Sequence, residues 1–243
     1  MRKALVPAVL VILLTAAFAT TASAASTAAG SAACTPKTNI EAIVDDSGSM
    51  VVTDPNKLRV QAMDLLIQTL PPSTTLGAVE FGSGIEGIPG VFEGTPAAYT
   101  LFPPEPIKPN SAAMQGALKS NINADDGATD YNGAFAKADA DDPASQARIF
   151  LTDGGHDEGT YNEAHLGHNV PTYVIGFGTG ISSGEDKARL KKIATDTGGK
   201  VYDLEDASEL QAVVNNIGAD LTCKTPPRQF TDELTQGQSK THT

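Results

Sequence analysis

The chain has 243 residues, a formal net charge of −12 and no tryptophan. An acidic balance of this size disfavours nucleic acid or an anionic membrane surface as a partner, because both are themselves negatively charged. The length suits one α/β domain with a sizeable core, which Val, Ile, Leu and Ala must fill because only 5% of the residues are aromatic.

Residues 1–24 have the three parts of a secretory signal peptide. Arg2 and Lys3 form the positive start, residues 4–18 the apolar stretch, and the Ala-Ser-Ala of residues 22–24 a cleavage site. An uncleaved membrane anchor is the alternative, but the apolar stretch is short for that role. Cleavage would remove two positive charges and change the formal charge from −12 to −14. We expect a secreted, extracellular protein without stable membrane insertion.

The two cysteines, Cys34 and Cys223, bracket the predicted domain. In an oxidising compartment we predict that they form a disulfide, with two free thiols as the alternative. Lipoprotein processing at Cys34 is disfavoured because the apolar stretch lies too far upstream. Residues 25–37 are expected to form a flexible leader, residues 38–222 the domain, and residues 223–243 a polar C-terminal tail.

Hydrophobic periodicity and turn residues predict the elements of this domain in chain order. The apolar run 40–44 predicts a buried strand that ends at Asp45. Asp54 and Pro55 are typical of a helix start, as N-cap and first helical residue, and Pro71–Pro72 ends that helix. Further predictions are a strand at 74–81, a glycine-rich turn at 82–90, an edge strand near 97–102 and a rigid proline loop at 103–109.

The second half of the domain continues the alternation of helices and strands. Arg148–Asp153 is a second apolar strand that ends in a carboxylate. The other predicted elements before position 180 are helices at 111–119 and 130–140 and a strand at 171–178. Ser183 and Asp186 then open a helix that Gly198 ends, and a strand follows at 200–204. The last predicted helix begins with Asp206 and Glu209 and closes at Gly218. The alternation predicts an α/β fold: a doubly wound, mostly parallel central sheet with one antiparallel edge strand and helices on both faces.

Polar oxygens gather where the first strand ends. Asp45, Ser47 and Ser49 alternate, so their side chains point the same way while the chain stays extended. Open α/β sheets bind ligands at the carboxyl ends of their strands. One carboxylate with two hydroxyls suits a hard cation such as Mg²⁺, which takes oxygen ligands. Thr129, in Gly-Ala-Thr-Asp, and Asp153 at the end of the second apolar strand would add a third hydroxyl and a second carboxylate.

The set Asp-x-Ser-x-Ser, then a lone Thr, then an Asp that closes a strand resembles the metal-ion-dependent adhesion site (MIDAS) of von Willebrand factor type A (VWA) domains. The resemblance implies that Ser47, Ser49 and Thr129 contact the metal directly, whereas Asp45 and Asp153 act mostly through bound water. It also implies that one coordination position is left for an acidic group of a partner. Mg²⁺ is the expected metal, with Mn²⁺ or Ca²⁺ as alternatives.

The first functional hypothesis is therefore a secreted adhesion or protein-binding module, not an enzyme, that grips a carboxylate on an extracellular protein or matrix ligand. A secreted serine hydrolase that uses Ser47 is the second hypothesis, although the chain lacks a Gly-x-Ser-x-Gly nucleophile elbow. A structural VWA domain with a vestigial site is the third. Some VWA domains couple ligand binding to a shift of the last helix, which a Cys34–Cys223 bridge would restrain.

Two other polar groups are interpreted as surface features. Asp139, Asp141 and Asp142 form an acidic cluster that we expect to be a solvated face rather than a second cation site. His165 and His168 have the spacing of a zinc pair, but no second pair of ligands matches it, which favours surface histidines.

Overall fold

The computed structural model describes residues 34–82, 97–123, 127–157, 159–163, 166, 169–178 and 184–224. The predicted signal peptide, most of the glycine-rich turn, His165 and His168, and residues 225–243 of the predicted tail lie outside the described residues. In the part that is described, no helix combines the length and the apolarity that a bilayer crossing requires.

Strands and helices alternate along most of the domain. The strands are β1 (Asn39–Asp45), β2 (Thr75–Phe81), β3 (Ala98–Pro106), β4 (Ala147–Thr152), β5 (Thr172–Phe177) and β6 (Val201–Leu204). The helices are α1 (Met50–Thr53), α2 (Leu58–Thr69), α3 (Ile107–Asn121), α4 (Tyr131–Asp141), α5 (Gly184–Thr197) and α6 (Leu210–Thr222), with a 3₁₀ turn at Ala207–Glu209.

The six strands form one sheet in the order β3-β2-β1-β4-β5-β6. All neighbouring strands are parallel except β2 and β3, which are antiparallel at the sheet edge. The predicted fold class is therefore confirmed. Because β1 and β4 are parallel and adjacent at the centre, their carboxyl ends meet, with Val44 opposite Leu151.

Helices cover both faces of the sheet because side chains alternate along each buried strand. Ile40, Ala42 and Val44 of β1 lie in one apolar cluster, which α2, α3 and α6 complete. Ile43 lies in the other cluster, together with residues of α4 and α5. The β1 strand is thus buried on both faces, as its continuous apolar run predicts.

The start of α2, which is the helix predicted to begin at Asp54 and Pro55, differs from the prediction. Residues Met50–Thr53 form a separate short helix, and α2 begins only at Leu58, after Lys57 with a left-handed φ of 51°. Asp54 still caps α2, because its carboxylate accepts hydrogen bonds from the backbone N–H groups of Leu58 and Arg59. The predicted residue thus caps the helix, but from four residues before it rather than at the N-cap position.

The proline segment and the last helix also differ. β3 continues through Pro103, Pro104 and Pro106, where the sequence predicts a loop. An edge strand has one unpaired side, so residues without an N–H are tolerated there. The prediction that Gly218 closes the last helix is wrong, because α6 runs on to Thr222 and ends at Cys223 with a left-handed φ of 57°. Gly218 itself lies within the helix.

The acidic cluster is not a simple solvated face. Asp142 is buried and accepts a hydrogen bond from the Asn39 side chain at 2.9 Å, and Asp139 pairs with the buried guanidinium of Arg148. Glu41 of β1 is also buried, and its burial, followed by the charges of Asp142 and Asp141, raises its pKa. The aspartates belong to a buried polar group beneath the end of α4, because a charged Arg148 in the central sheet needs carboxylates nearby.

The structure contains the predicted disulfide between Cys34 and Cys223, with 5.7 Å between their Cα atoms. A backbone hydrogen bond of 2.7 Å from Lys37 N–H to Leu221 O lies beside it. The bridge therefore joins the end of α6 to the segment that leads into β1.

Candidate metal centre

The carboxyl ends of the two central strands form the floor of the site. Asp45 ends β1, Thr152 ends β4 and Asp153 follows it; all three are buried. The Thr152 hydroxyl donates a hydrogen bond of 2.6 Å to Oδ2 of Asp45. This bond joins the two strand ends and fixes one carboxylate oxygen of Asp45.

The Asp45–Ser49 loop folds back over the end of its own strand. The backbone N–H of Ser47 donates to Oδ1 of Asp45 at 2.9 Å, which is a local turn typical of aspartate. The hydroxyl oxygens of Ser47 and Ser49 are 3.0 Å apart and hydrogen-bonded. Ser47 thus lies beside both Asp45 and Ser49, but through a turn at residues 47–50 rather than through the extended chain that the prediction assumes.

Close packing from β2 holds this loop in place. Gly82, directly after β2, has a φ of +123°, and a Cβ there would lie 2.4 Å from the backbone nitrogen of Ser47. Both the backbone conformation and the lack of space require glycine at this position. The loop is therefore positioned by direct backbone contact with the neighbouring strand.

Thr129 reaches the same edge through backbone contacts. The N–H of Gly48 donates to the carbonyl of Gly127 at 3.2 Å, so the Thr129 loop lies against the serine loop. The N–H of Thr129 donates to Oδ1 of Asp157 at 2.6 Å, and the Asp157 N–H donates back to the Thr129 carbonyl at 3.1 Å. Thr129 is buried and held between the other two loops of the site.

Asp153 is linked to the serine loop through α1. The Thr53 hydroxyl lies 2.8 Å from Oδ2 of Asp153 and 3.0 Å from the carbonyl of Ser49. With this link, all five residues of the predicted site lie at one edge of the sheet. Ser47 bonds to both Asp45 and Ser49, whereas Thr129 and Asp153 are connected to this loop through neighbouring groups.

The electrostatics of the site favour a cation. Burial, and next the negative charge of Asp153, raise the pKa of Asp45 from its ordinary 3.8 to about 7. No Lys or Arg of the described segments forms an ion pair with Asp45 or Asp153. Two buried carboxylates without a countercharge repel each other, and a divalent ion between them would remove that repulsion.

The oxygen-bearing side chains of the site, only two of which are charged, are the kind of ligand that a hard cation prefers. In the described ranges, no three His, Cys, Asp or Glu side chains are grouped as a metal cage. The site instead offers hydroxyls from Ser47, Ser49 and Thr129 beside its two carboxylates. Oxygen donors of this kind fit Mg²⁺, Mn²⁺ or Ca²⁺.

A buried ion network supports the serine loop from below. Arg59 of α2 donates to Asp46 and to Asp54, both at 2.9 Å, and its side chain is 1% exposed. The other oxygen of Asp46 accepts the N–H of Asn123 at 2.9 Å. Because Asp46 lies between Asp45 and Ser47, this network fixes the backbone from which the candidate ligands project.

Several supporting residues are not predicted from the sequence. Thr152 and Thr53 lie next to predicted features, but only the meeting of distant segments shows that their hydroxyls bind Asp45 and Asp153. The same holds for Asp157 and for Arg59, whose partners are 28 and 13 residues away. Of these residues, only Thr152 could have been predicted from the sequence, because a polar residue at the end of an apolar strand indicates a position at the edge of the sheet where ligands bind.

The described residues around Ser47 do not include the base of a serine nucleophile site. The Ser47 hydroxyl bonds to Ser49, and the Nδ1 atom of His156 accepts the backbone N–H of Tyr131 at 3.1 Å. A serine nucleophile needs a base within hydrogen-bond reach. Among the described residues, Ser47 has no histidine partner.

Comparisons with known proteins agree with this architecture. The chain matches no protein-family model. A UPF0353 protein of Mycolicibacterium paratuberculosis (strain ATCC BAA-968 / K-10) is 30% identical over 223 residues, with 77% of this chain and 62% of that protein covered. The chain thus spans less than two thirds of this relative's length.

Solved structures with the same fold include the following two. A von Willebrand factor type A structure from Catenulispora acidiphila has a TM-score of 0.58 and 22% identity, over 76% of this chain and 43% of that one. Proximal thread matrix protein 1 from the mussel byssus, with a zinc-occupied MIDAS motif, has a TM-score of 0.51 and 18% identity, over 77% and 48%. The chain has the fold of VWA domains, with α/β architecture and one antiparallel edge strand.

Proposed function

We propose that this protein is a secreted VWA-type binding module that holds a divalent cation and uses it to grip a carboxylate of an extracellular protein or matrix partner. The observation that carries the proposal is the pair of buried carboxylates, Asp45 and Asp153, beside clustered hydroxyls and without a cationic partner in the described structure. The zinc-occupied MIDAS motif of the mussel protein supports metal binding on this fold.

The hydrogen bonds suit the division of roles implied by the VWA resemblance. Both oxygens of Asp45 already accept hydrogen bonds, from the Ser47 N–H and the Thr152 hydroxyl. Oδ2 of Asp153 accepts one from Thr53. These carboxylates therefore suit contact through water, which leaves the hydroxyls of Ser47, Ser49 and Thr129 as direct ligands.

The small number of charged ligands explains why a carboxylate would bind. Two carboxylates neutralise a divalent cation, and neutral hydroxyls add no further charge. When bound, the metal would supply an electrophilic position for one more oxygen donor. A site with more carboxylates would hold the ion more tightly but repel an acidic partner. Mg²⁺ is proposed as the natural metal because it is hard and keeps exchangeable water.

Secretion is proposed from the sequence and the cysteines. Residues 1–24 have the composition of a signal peptide. The Cys34–Cys223 disulfide is the kind of crosslink that persists outside the cell. An extracellular location would also be consistent with a protein or matrix partner.

Calorimetric titration of Mg²⁺ and Mn²⁺ into the mature, oxidised protein tests the proposal. We expect one saturable site in the unchanged protein and none in Ser47→Ala or Asp153→Ala. Ser120→Ala and Asp203→Ala, at exposed positions away from the site, are matched controls that should bind normally. Added acetate should tighten metal binding, because two ligands that stabilise each other do so reciprocally. Absence of metal binding both with and without acetate would overturn the proposal.

A further inference from the structure

A groove of about 620 Å³ separates the end of α2 from the beginning of α3. Its apolar lining includes Ile67, Leu70, Pro72, Ile107 and Pro109. Ile67, Leu70 and Ile107 are each 3% exposed, so they form the floor of the groove and not its outer edge. Pockets of about 300–1,000 Å³ with a mostly apolar lining typically bind compact ligands. This α2–α3 groove is therefore large enough to bury a large apolar side chain.

One side of the α2–α3 groove carries a positive charge. Lys108 lines the groove and is exposed, and it forms no ion pair with any residue that the structure describes. Its backbone is fixed, because its N–H donates to the carbonyl of Pro72 at 2.9 Å. Gln68 and Ser111 add an amide and a hydroxyl to the lining. The groove thus suits an extended peptide that carries an apolar side chain and, close to it, a carboxylate.

The groove lies at the end of the domain opposite to the candidate metal centre. Pro72 precedes β2 and Ile107 follows β3, and the Ile107 N–H donates to the carbonyl of Thr74 at 2.9 Å. Because β3 is antiparallel to β2, both residues lie at the amino end of β2. Asp45 and Asp153, in contrast, lie at the carboxyl ends of their strands. A segment bound in the groove would therefore not contact the metal centre.

Backbone hydrogen bonds connect the groove with the end of α6. Thr75, next to Thr74, donates its N–H to the carbonyl of Thr38 at 2.8 Å. Lys37, next to Thr38, donates to the carbonyl of Leu221 in α6 at 2.7 Å. Neighbouring residues are about 3.8 Å apart along the chain and paired backbones about 4.8 Å apart, so the groove lies at most roughly 25 Å from Leu221. The C-terminal tail therefore starts near the groove.

Two segments are attached to the domain at this end, namely the leader before the disulfide and the tail after it. Residues 25–33 of the leader contain only Ala, Ser, Thr and Gly and carry no charge. The tail contains one Phe, Tyr or Trp residue, Phe230, which Asp232 and Glu233 follow closely. A phenylalanine side chain has a large apolar area to bury, and the acidic pair complements the charge of Lys108. Of the two segments, only the tail has the chemistry that the groove suits.

The tail is long enough to reach the groove. An extended chain advances about 3.3 Å per residue, so Phe230 can lie up to roughly 20 Å from Lys224, and Glu233 up to roughly 30 Å. Pro226 and Pro227 favour such an extended backbone. A segment tethered by a few residues has an effective concentration near the millimolar range. Even an intrinsically weak interaction would therefore keep the groove occupied.

We infer that residues 228–234 of the tail bind in the α2–α3 groove of their own chain, with the Phe230 ring on its apolar floor and Asp232 or Glu233 beside Lys108. The tail would then join the end of α6 to α2 and α3. The inference does not depend on the proposed function, because the groove and the metal centre lie at opposite ends of the sheet.

A fluorescent reporter in the tail tests this inference. The chain has no tryptophan, so Phe230→Trp introduces a single indole into the full mature protein. The reference is a capped free peptide of residues 225–236 with the same change. We expect the emission of the protein to be shifted to the blue. Acrylamide should quench it at least about threefold less than the peptide, as for a reporter that is bound most of the time.

Groove variants in the same background identify where the indole binds. Lys108→Glu reverses the charge of the groove, and Ser111→Arg fills its volume. Both changes should return the quenching to that of the peptide. Lys191→Glu is the matched control for the change in charge, because it is exposed on α5, which packs against the other face of the sheet. This control should retain the protection.

Each other outcome overturns the inference. Equal quenching in the protein and in the peptide would mean that the tail does not bind to the domain. Protection that survives both Lys108→Glu and Ser111→Arg would place Phe230 at another surface. Protection that is lost on dilution, together with a dimer in sedimentation equilibrium, would assign the groove to the tail of a second copy of the chain.

Discussion

Arg59 provides a quantitative test of how the serine loop is supported. Its guanidinium is 1% exposed and pairs with Asp46 and Asp54, whose side chains are 9% and 0% exposed. The change Arg59→Met keeps the length of the side chain but leaves two buried carboxylates without their cation. Removal of one partner of a buried ion pair typically costs about 3–5 kcal/mol. That is a large share of the roughly 5–15 kcal/mol that stabilises an ordinary domain.

Urea unfolding at pH 7, followed by circular dichroism, measures this loss. For a domain of this size, a loss of about 3–5 kcal/mol in the free energy of unfolding corresponds to a fall in the melting temperature of roughly 6–20 °C. Lys119→Met is the matched control, because it breaks a more exposed pair with Asp64, 3.4 Å apart, that should contribute about 0–1 kcal/mol. We also expect Mg²⁺ affinity to fall by about 10- to 100-fold, as for other residues that position metal ligands.

An Arg59→Met variant as stable as Lys119→Met would refute this argument. It would mean that Asp46 and Asp54 are solvated or protonated without loss of stability. A destabilised variant with unchanged Mg²⁺ affinity would separate the two claims: the network would then stabilise the fold without positioning the serine loop.

Three further predictions concern other parts of the fold. Gly82→Ala should abolish metal binding, because the added Cβ would lie 2.4 Å from the backbone nitrogen of Ser47 and displace the serine loop. Circular dichroism should still report a folded protein. Unchanged metal affinity would show that the loop can shift without losing the site. Burial and the nearby Asp142 raise the pKa of Glu41 to about 9, so the folded state retains a proton that the unfolded state loses above pH 4.5. The contribution of Glu41 to stability should therefore fall between about pH 5 and 9. The melting temperature of Glu41→Gln should rise relative to that of the unchanged protein over the same pH range. A difference in melting temperature that does not depend on pH would contradict this prediction. Reduction of the Cys34–Cys223 disulfide should weaken hydrogen-exchange protection at the end of α6 and change the affinity for a carboxylate. If both the protection and the affinity stay the same, the disulfide does not restrain the last helix.

The sequence predicts the sheet well because its strands are continuous apolar runs. Ile40–Val44 and Arg148–Thr152 have the pattern of strands buried on both faces, and they occupy the two central positions. The prediction for Asp45, Ser47 and Ser49 assumes an extended chain, but the chain turns after Asp45 and Ser49 has helical dihedrals, so a turn rather than strand alternation brings Ser47 and Ser49 together.

What the sequence does not predict depends on contacts between distant segments. The prolines of β3 are compatible with a strand only because that strand lies at the edge. Asp142 is buried because Asn39 and the Glu41–Arg148 group lie beneath α4. Gly218 does not end α6, because packing of Leu221 against the core outweighs the low helix propensity of glycine.

The central claim is that a bound divalent ion keeps a position that a carboxylate can take. Water-proton relaxation with Mn²⁺ measures this directly, because bound Mn²⁺ relaxes the water molecules that exchange on it. We predict a relaxation enhancement in the mature protein that falls as acetate is added, and no enhancement in Asp153→Ala. An enhancement that acetate leaves unchanged, or one that persists in Asp153→Ala, would contradict the account.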